Sequence, residues 1–461
     1  MNARLVGRVL FPMHEWLKSK PTFRLLNELE ATQWLPADRL AEYRFRRLHR
    51  LLEFAYANVP YYRELMDEHA VTPRQVQDFA DLRRVPVLTR DILQTRFDDL
   101  RARATLPHVH RRSSGGSTGT PVTVLVDMGR MGMTEAGRLR AQRWFGVPPG
   151  APEVVLWGTP ARLSRTEWVR RVRDRLLNTR VLSAFDMGEA AVHRHAQTLL
   201  RVRPSKIYGY ASACHLLAAH FQRERLDPPV GLRAVFTTAE PLFDFQRKTI
   251  EAAFGCPVAV EYGCRDGGLV ALECPDGGLH LFAESMHVEI LDPDADGRGE
   301  IVLTNFDSLA FPIIRYRTGD MGSLDPTPCP CGRALPKLRN VEGRRTDFLV
   351  TPSGRVLHAL SAIYLLRDSP SVREFRVVQD SPDHLTVDIV PSGPFGATEQ
   401  SGLRTQFASV FGADVRVDFQ PCERIARTAA GKFRYVESRI APPVLEQLMR
   451  AGRQGANRND P

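Results

Sequence analysis

The chain has 461 residues, of which 43% are hydrophobic and 25% charged, and its 63 Lys and Arg against 53 Asp and Glu give a formal net charge of +10. That length suits two domains, and the composition is that of a globular chain able to bury a sizeable core. No apolar run approaches the roughly 18 residues of a membrane-spanning helix, no basic block interleaves with aromatics as nucleic-acid recognition requires, and the odd count of seven cysteines argues against a disulfide framework.

Residues 1–21 are basic and carry a short apolar patch, Val9-Leu10-Phe11-Pro12, but neither the apolar core nor the small-residue cleavage site of a signal peptide. A cytoplasmic chain with no membrane partner and no nucleic-acid partner is expected. Over residues 40–60, Leu48, Leu51, Leu52 and Ala55 fall at i, i+3, i+4 and i+7, which predicts a helix ended by Pro60.

Residues 113–121 read Ser113-Ser114-Gly115-Gly116-Ser117-Thr118-Gly119-Thr120-Pro121, directly before the β-rich run Val122–Val126. A loop of this kind can turn several backbone N–H groups and hydroxyls toward one anion. Glycine permits the positive φ angles and the close backbone approach that a phosphate demands. The loop is not a Walker A, because no Gly-Lys-Ser/Thr follows, and the dinucleotide pattern Gly-x-Gly-x-x-Gly is absent. Taken alone, such a stretch also reads as a flexible linker.

From 150 to 305 short β-rich runs alternate with helical patterns. The runs are Val154–Trp157, Leu232–Thr238, Val258–Tyr262 and Glu300–Thr304; the helical patterns lie near 189–203, 212–225 and 243–254. This rhythm predicts a mixed or parallel sheet covered by helices. After residue 346 the pattern resets to strand (Phe348–Val350), helix (358–367), strand (Phe375–Val378), strand (around Leu385, Val387 and Ile389), helix (399–411) and strand (around Val415, Val417 and Phe419). That β-α-β-β-α-β order fits a small α+β domain. A polar tail begins near residue 451, and no internal repeat is found.

Arginine dominates the basic residues, leaving six lysines: Lys18, Lys20, Lys206, Lys248, Lys337 and Lys432. Arginine cannot replace a compact ammonium that must approach a reacting oxygen, which singles out Lys432, after Gly431 and just before Arg434. The basic surplus is either a solvated Arg-rich surface or a field favouring nucleotides. Cys274 and His280 on one Gly/Pro-rich stretch, and Cys329 and Cys331 on another, can together supply a tetrahedral set of three thiolates and one imidazole, as in structural zinc sites. Cys-x-Cys is less stereotyped than Cys-x-x-Cys, and reduced cysteines in turns are the alternative.

Further motifs follow the Ser/Gly stretch in order. They are Thr237-Thr238-Ala239-Glu240-Pro241-Leu242 and Tyr262-Gly263-Cys264-Arg265-Asp266, each ending a strand, then Pro312–Asp320 preceding a loop, Gly343–Asp347 at the pattern reset, and Arg427–Arg434 near the end. Together they resemble the adenylate-forming superfamily, and within it the phenylacetate-CoA ligase family in its capsule-biosynthesis branch, which also shows the pattern Phe54–Tyr62 and Val85-Pro86-Val87-Leu88-Thr89. The resemblance covers roughly residues 45–440.

The resemblance implies a fold and a set of roles. The fold is α/β: a large N-terminal domain over 1–345 that binds ATP and the acyl substrate, a small mobile α+β domain over 346–440 that carries Lys432, and a tail over 441–461. Ser113, Ser114, Gly115, Gly116, Ser117, Thr118 and Gly119 would hold the β- and γ-phosphates of ATP. Ala239, Glu240, Pro241, Tyr262 and Gly263 would line the adenine, with Tyr262 stacking on it. Asp320 would bind the ribose hydroxyls, since a carboxylate accepts two O–H donors well, and Arg344 would reach the ribose or a phosphate. Lys432 would neutralise charge where a substrate carboxylate attacks the α-phosphorus. Asp266 stands where the family commonly has the Glu that helps to place Mg2+; it is one methylene shorter but still a hard oxygen ligand. Thr346 stands where the hinge Asp is usual, followed by Asp347. Relatives in the branch bind zinc at positions like Cys274, His280, Cys329 and Cys331, and the ion would be structural.

The expected activity is ATP-dependent activation of a small-molecule carboxylic acid, aryl or aryl-like, to an acyl-adenylate, then transfer to a thiol, that of CoA. Transfer to a carrier protein or an amine is the alternative acceptor chemistry, and a homodimer is the assembly considered. The acyl pocket is expected between Tyr208–Ser212, Ala239 and Cys264–Gly268, where Tyr208, Tyr210 and Phe236 favour a flat acid and Arg265 either meets a second anionic group or faces solvent. The rival from another class is a non-catalytic adenylate-binding protein, favoured by Asp266 and Thr346 and opposed by Lys432, Asp320 and Arg344.

Overall fold

The computed structural model describes residues 1–113, 122–158, 165–184, 187, 189–344, 348–353, 356–358, 360–367, 369–426 and 433–440. The chain divides into two compact units, one on Met1–Glu342 and one on Gly343–Thr428 with residues 433–440.

The first unit opens with helices: a continuous helical segment over 3–17, then Thr22–Thr32, Ala37–Asn58 and Pro60–Glu68. The helix expected over 40–60 stops at Asn58, and Pro60 does more than end it. With no N–H to satisfy and φ already near the helical value, Pro60 takes the first position of the next helix. Leu48, Leu51, Leu52 and Ala55 are all buried, as their period requires, in a core shared with Tyr62, Val124 and Phe311. Next comes a hairpin in which β1 (His110–Ser113) pairs antiparallel with β2 (Thr123–Val126), Ser113 opposite Thr123. The Ser/Gly stretch therefore joins the two ends of a hairpin, although 114–121 itself lies outside the described residues.

The centre of this unit is an eleven-stranded sheet. Its strands are β3 (Glu153–Trp157), β4 (Thr179–Ser183), β5 (Lys206–Tyr210), β6 (Ala234–Thr238), β7 (Val258–Cys264), β8 (Gly268–Glu273), β9 (Leu279–Leu281), β10 (Met286–Leu291), β11 (Gly299–Asn305), β12 (Ile313–Asp325) and β13 (Lys337–Arg344), in the order β10-β11-β12-β13-β9-β8-β7-β6-β5-β3-β4. The β4-β3-β5-β6-β7 side is parallel. Its crossovers run through helices Arg165–Leu176, Glu189–Val202, Ala211–Arg223 and Asp244–Phe254. β6 is buried along its whole length, as a central parallel strand covered on both faces must be. From β7 to β8 the direction reverses, and the other half is built from antiparallel pairs.

One strand departs from expectation. The Pro312–Asp320 motif does not precede a loop; it lies within β12, which continues to Asp325. Pairing with β11 is interrupted and then resumes: Val302 faces Arg317, and Glu300 faces Met321, so four steps on β12 match two on β11. Gly319, at φ +78°, sits in this bulge. Bulges of this kind re-aim a side chain without ending the strand, which is why a turn-like Gly-Asp pair occurs inside one.

The helix Met128–Trp144 crosses one face of the sheet and left no periodic signature in the sequence. It is buried nearly all round, including Arg130, Arg140 and Gln142, so no polar stripe marks an outer face. Asp127 caps its start, accepting a hydrogen bond from the backbone N–H of Arg130 at 3.0 Å. A Cβ at Gly137 would lie 2.7 Å from the Phe282 ring, so the helix can approach that closely only with glycine there.

The second unit carries a hairpin of β14 (Phe348–Val350) and β15 (Val356–His358), helix Leu360–Arg367, and a four-stranded sheet. That sheet comprises β16 (Val372–Ser381), β17 (His384–Pro391), β18 (Arg416–Pro421) and β19 (Val436–Ser438), in the order β18-β17-β16-β19, with helix Ala397–Phe411 between β17 and β18. Alternation is clean on β17, where Leu385, Val387 and Ile389 are fully buried.

Candidate nucleotide and metal sites

The residues singled out by the motifs gather at the carboxyl ends of β5, β6 and β7 and at the bulge of β12, the end of an open α/β sheet where crevices form. After β6 the chain turns through Ala239, whose φ of +69° is a conformation non-glycine residues rarely adopt. The turn brings Glu240 back to the start of helix Ala211–Arg223, where its Oε2 accepts from the Ser212 N–H at 2.9 Å. A carboxylate is favourable there because the helix N-terminus presents unsatisfied N–H groups.

Tyr262 and Asp320, 58 positions apart in sequence, meet directly: the Tyr262 hydroxyl donates to Asp320 Oδ2 at 2.8 Å. The β12 bulge is what aims Asp320 at β7. Burial and the Asp320 charge raise the Tyr262 phenol well above its ordinary value, so it stays protonated and remains a donor.

Asp266, just past β7, is buried. Its Oδ2 accepts from the Tyr316 hydroxyl at 3.0 Å, and its backbone carbonyl accepts from Arg130 Nη2 at 2.7 Å. Asp266 Oδ1 is buried and has no hydrogen-bond partner among the described residues. An orphaned carboxylate oxygen in the interior is the kind of donor a hard cation such as Mg2+ takes, so the residue fits that expectation chemically. Tyr316 and Arg130, which hold Asp266 from β12 and from helix Met128–Trp144, were missed in the sequence. Tyr316 stood inside a recognised motif and could have been found; Arg130 offered no signal.

Arg265 takes the solvent-facing alternative. It is exposed, but its Nη1 donates to the Ser113 carbonyl at 2.6 Å, tying the loop after β7 to the end of β1 where the Ser/Gly stretch begins. Ser113 also joins its hydroxyl to that of Thr123 at 3.0 Å across the hairpin. Arg344 ends β13, with its side chain outside the described residues, and Ser114 to Gly119, Thr346, Asp347 and Lys432 lie outside them altogether.

The expected acyl region is partly rearranged. Phe236 is buried core, packed edge-on by Phe145 with ring centroids 5.3 Å apart, and so lines nothing open. Tyr210 is covered by Trp157, with rings stacked at 4.6 Å, and Tyr208 lies beside the same Trp157 at 6.1 Å. The Tyr208 hydroxyl donates to Glu261 Oε1 at 2.8 Å, and Arg138 clamps the same carboxylate with two N–H groups, at 2.7 and 2.9 Å. Trp157, Arg138 and Glu261 come from three separate elements, and only the register Tyr210↔Thr238↔Glu261 puts them on one face.

Cys274, His280, Cys329 and Cys331 converge, their ligand atoms all within 4.8 Å of one another. Cys274 and Cys329 sulfurs are 3.6 Å apart, and His280 Nε2 is 3.2 Å from the Cys331 sulfur. His280 Nδ1–H donates to the Leu335 carbonyl at 3.1 Å, which leaves Nε2 with its lone pair toward the sulfurs. A Cβ at Gly278 would lie 2.7 Å from Cys329 Sγ and 3.2 Å from His280 Nε2. The donor set therefore fits a tetrahedral zinc, with glycine making room for it. None of the seven cysteines forms a disulfide.

The chain is similar to known proteins over most of its length. Residues 349–439 match the family model described as the CapK C-terminal domain. The chain is 27% identical to phenylacetate-coenzyme A ligase of Thermus thermophilus, covering 85% of this chain and 90% of that one. It is 22% identical to protein CapK of Staphylococcus aureus, over 87% and 90% respectively. Among solved structures, 2-hydroxyisobutyryl-CoA ligase, captured in the postadenylation state with an acyl-AMP, superposes with a TM-score of 0.70 at 21% identity, covering 92% of this chain and 94% of its own.

Proposed function

We propose that the chain is a member of the phenylacetate-CoA ligase-like adenylate-forming family, to whose members it is similar over most of its length, and that it activates a carboxylic acid with ATP and passes the acyl group to the thiol of CoA. The observation that carries this reading is the Tyr262–Asp320 pair beside the buried, half-satisfied Asp266, at the sheet end where the Ser/Gly hairpin is tied in by Arg265.

In the first half-reaction a substrate carboxylate oxygen attacks the α-phosphorus. A P–O bond to the acid forms, the bond to the β-phosphate bridging oxygen breaks, and pyrophosphate leaves. In the second, the CoA sulfur attacks the acyl carbon, AMP leaves with the carboxylate oxygen, and the thiol proton passes to solvent. The chain's part is positioning and charge stabilisation, which dominate phosphoryl chemistry. Asp320, its orientation fixed by Tyr262, takes the ribose hydroxyls. Ala239, Glu240, Pro241 and Gly263 shape the adenine slot, with Glu240 held by Ser212 rather than free to rotate. The backbone and hydroxyls of 113–119 receive the β- and γ-phosphates, Arg344 the ribose or a phosphate, and Lys432 the charge at the α-phosphorus. Asp266 Oδ1 would ligate Mg2+, which when bound neutralises phosphate charge.

The acid is proposed to be flat, lying along Trp157 and Tyr208, with its far end near the Arg138–Glu261 pair. Zinc at Cys274, His280, Cys329 and Cys331 is proposed as structural, since four protein ligands leave no open position. The use of ATP and CoA suits the cytoplasm.

The test is acid-dependent pyrophosphate release from Mg-ATP across aryl and alkyl acids, with and without CoA, using Lys432→Ala as the blank. Release that requires an acid and Lys432, and a thioester when CoA is added, is the expected result. A CoA-independent turnover that needs an amine or a carrier protein would move the acceptor. ATP binding without release for every acid would favour the non-catalytic reading.

A further inference from the structure

The first unit carries an exposed surface that the acid-activating chemistry does not use. Along the helical segment over 3–17, Leu5, Val9, Met13 and Leu17 recur every fourth residue and all are exposed; Trp16 beside them is 75% exposed. Helix Arg165–Leu176 repeats the pattern with Val172, Leu176 and Trp168, which is 65% exposed. The ends of the two elements approach each other. The Met1 amino group donates to Asn178 Oδ1 at 2.9 Å, and Lys18 lies close enough to Arg173 and Asp174 to feel their charges. An apolar stripe of this kind on one exposed helix is unusual, and on two helices whose ends approach it marks an interaction surface.

Among the described residues, the exposed charges around the stripes are one-sided. Arg4, Arg8, Lys18, Arg170, Arg171 and Arg175 are exposed. The single acid of the first segment, Glu15, is buried and bonded by Thr22 at 2.6 Å. The acid described on the second helix, Asp174, is buried against Arg173. Two-fold contact with a second copy would set these cations against themselves. An anionic lipid surface meets both features at once, taking tryptophans at the headgroup level and basic side chains at the phosphates.

We propose that the helical segment over 3–17 and helix Arg165–Leu176 form an interfacial surface that docks the protein on anionic membranes. No described helix is long and apolar enough to cross a membrane; these two would lie on it, apolar faces in the headgroup boundary. Hydropathy alone gave no membrane partner because it registers spanning segments and is blind to a stripe shared by two helices distant in sequence.

The experiment is flotation of the full-length protein with vesicles of phosphatidylcholine alone, or of phosphatidylcholine with about a third phosphatidylglycerol. Co-flotation only with the anionic vesicles, lost in half-molar salt, is expected. Arg8→Glu with Arg171→Glu should weaken partitioning by about fivefold or more per site, since each basic residue near an anionic surface contributes about that factor. Trp16→Ser with Trp168→Ser should weaken it by roughly tenfold or more. Both double variants alter exposed side chains and should keep the wild-type melting temperature, which separates lost binding from lost folding. The proposal is overturned if the protein ignores phosphatidylglycerol vesicles, if both folded variants float like wild type, or if the tryptophan pair instead splits a lipid-free dimer that does not bind vesicles.

Discussion

Single side chains decide how the proposed nucleotide end of this protein is set. Tyr262 was expected to stack on adenine and Asp320 to bind ribose, two separate tasks; the 2.8 Å hydrogen bond between them makes each the other's support. Tyr262→Phe keeps the ring face and removes the hydroxyl, so the KM for ATP should rise about fivefold, the worth of one net hydrogen bond, with kcat little changed. Asp320→Ala should raise it by well over tenfold, because an acceptor for two ribose hydroxyls goes with it. Initial-rate pyrophosphate assays at varied ATP separate the two, and equal effects would mean that the pair acts only structurally. Asp266 shows the limit of reading at this scale. Its identity was visible, but its orphaned Oδ1 follows from burial under Tyr316 and Arg130, which no local pattern encodes.

Elements bring those side chains together, and they fail or hold as units. Cys274 precedes β9, His280 lies within it, and Cys329 and Cys331 precede β13; the two strands pair antiparallel, with Lys337 opposite His280. Cys329→Ser should abolish a stoichiometric zinc measured by atomic absorption and lower the melting temperature by several degrees, since bound metal stabilises only the folded chain. A zinc-free wild type of unchanged stability would contradict the site. Helix Met128–Trp144 is held by a fully buried ion pair between Arg140 and Glu284, itself bonded by Thr32 at 3.0 Å. Arg140→Met should cost about 3–5 kcal/mol in urea unfolding, because Glu284 is left charged and unpaired, whereas Arg140→Met with Glu284→Leu should recover most of the loss. The antiparallel half of the sheet and this helix were the least legible elements. Period 2 and period 3.6 report one buried face against one wet face, and these elements have little wet face to report.

At the scale of the molecule, stability should depend on pH through buried histidines that the proposed chemistry does not use. Burial lowers His287 to about 3 and His215 to about 4 from the ordinary 6.5, His287 also facing Arg44, Arg83 and Arg315. The folded chain refuses protons that the unfolded chain accepts, so this contribution is complete above pH 6.5 and is lost as pH falls below it. At pH 5 each should cost about 2 kcal/mol, and His287→Gln, which keeps an acceptor for Arg44, should reduce the drop in unfolding free energy between pH 7 and pH 5 by about that amount. An identical drop in the variant would rule the group out. The sequence by itself determined the class of fold, the parallel strand–helix rhythm and the α+β reset after 346, and it singled out the candidate nucleotide motifs, because short-range patterns and glycine-rich turns are written locally. It also marked the four metal-ligand candidates, because thiolates and imidazole announce their chemistry by type. Only the tertiary structure decided which residues meet: Asp320 on Tyr262 through a strand bulge, Arg265 on Ser113, Arg138 on Glu261, and Met1 on Asn178 where the ends of two striped helices approach. Such contacts depend on register and on packing between segments 58 to 177 residues apart, and that information is carried by the whole fold, with no single stretch of chain holding it.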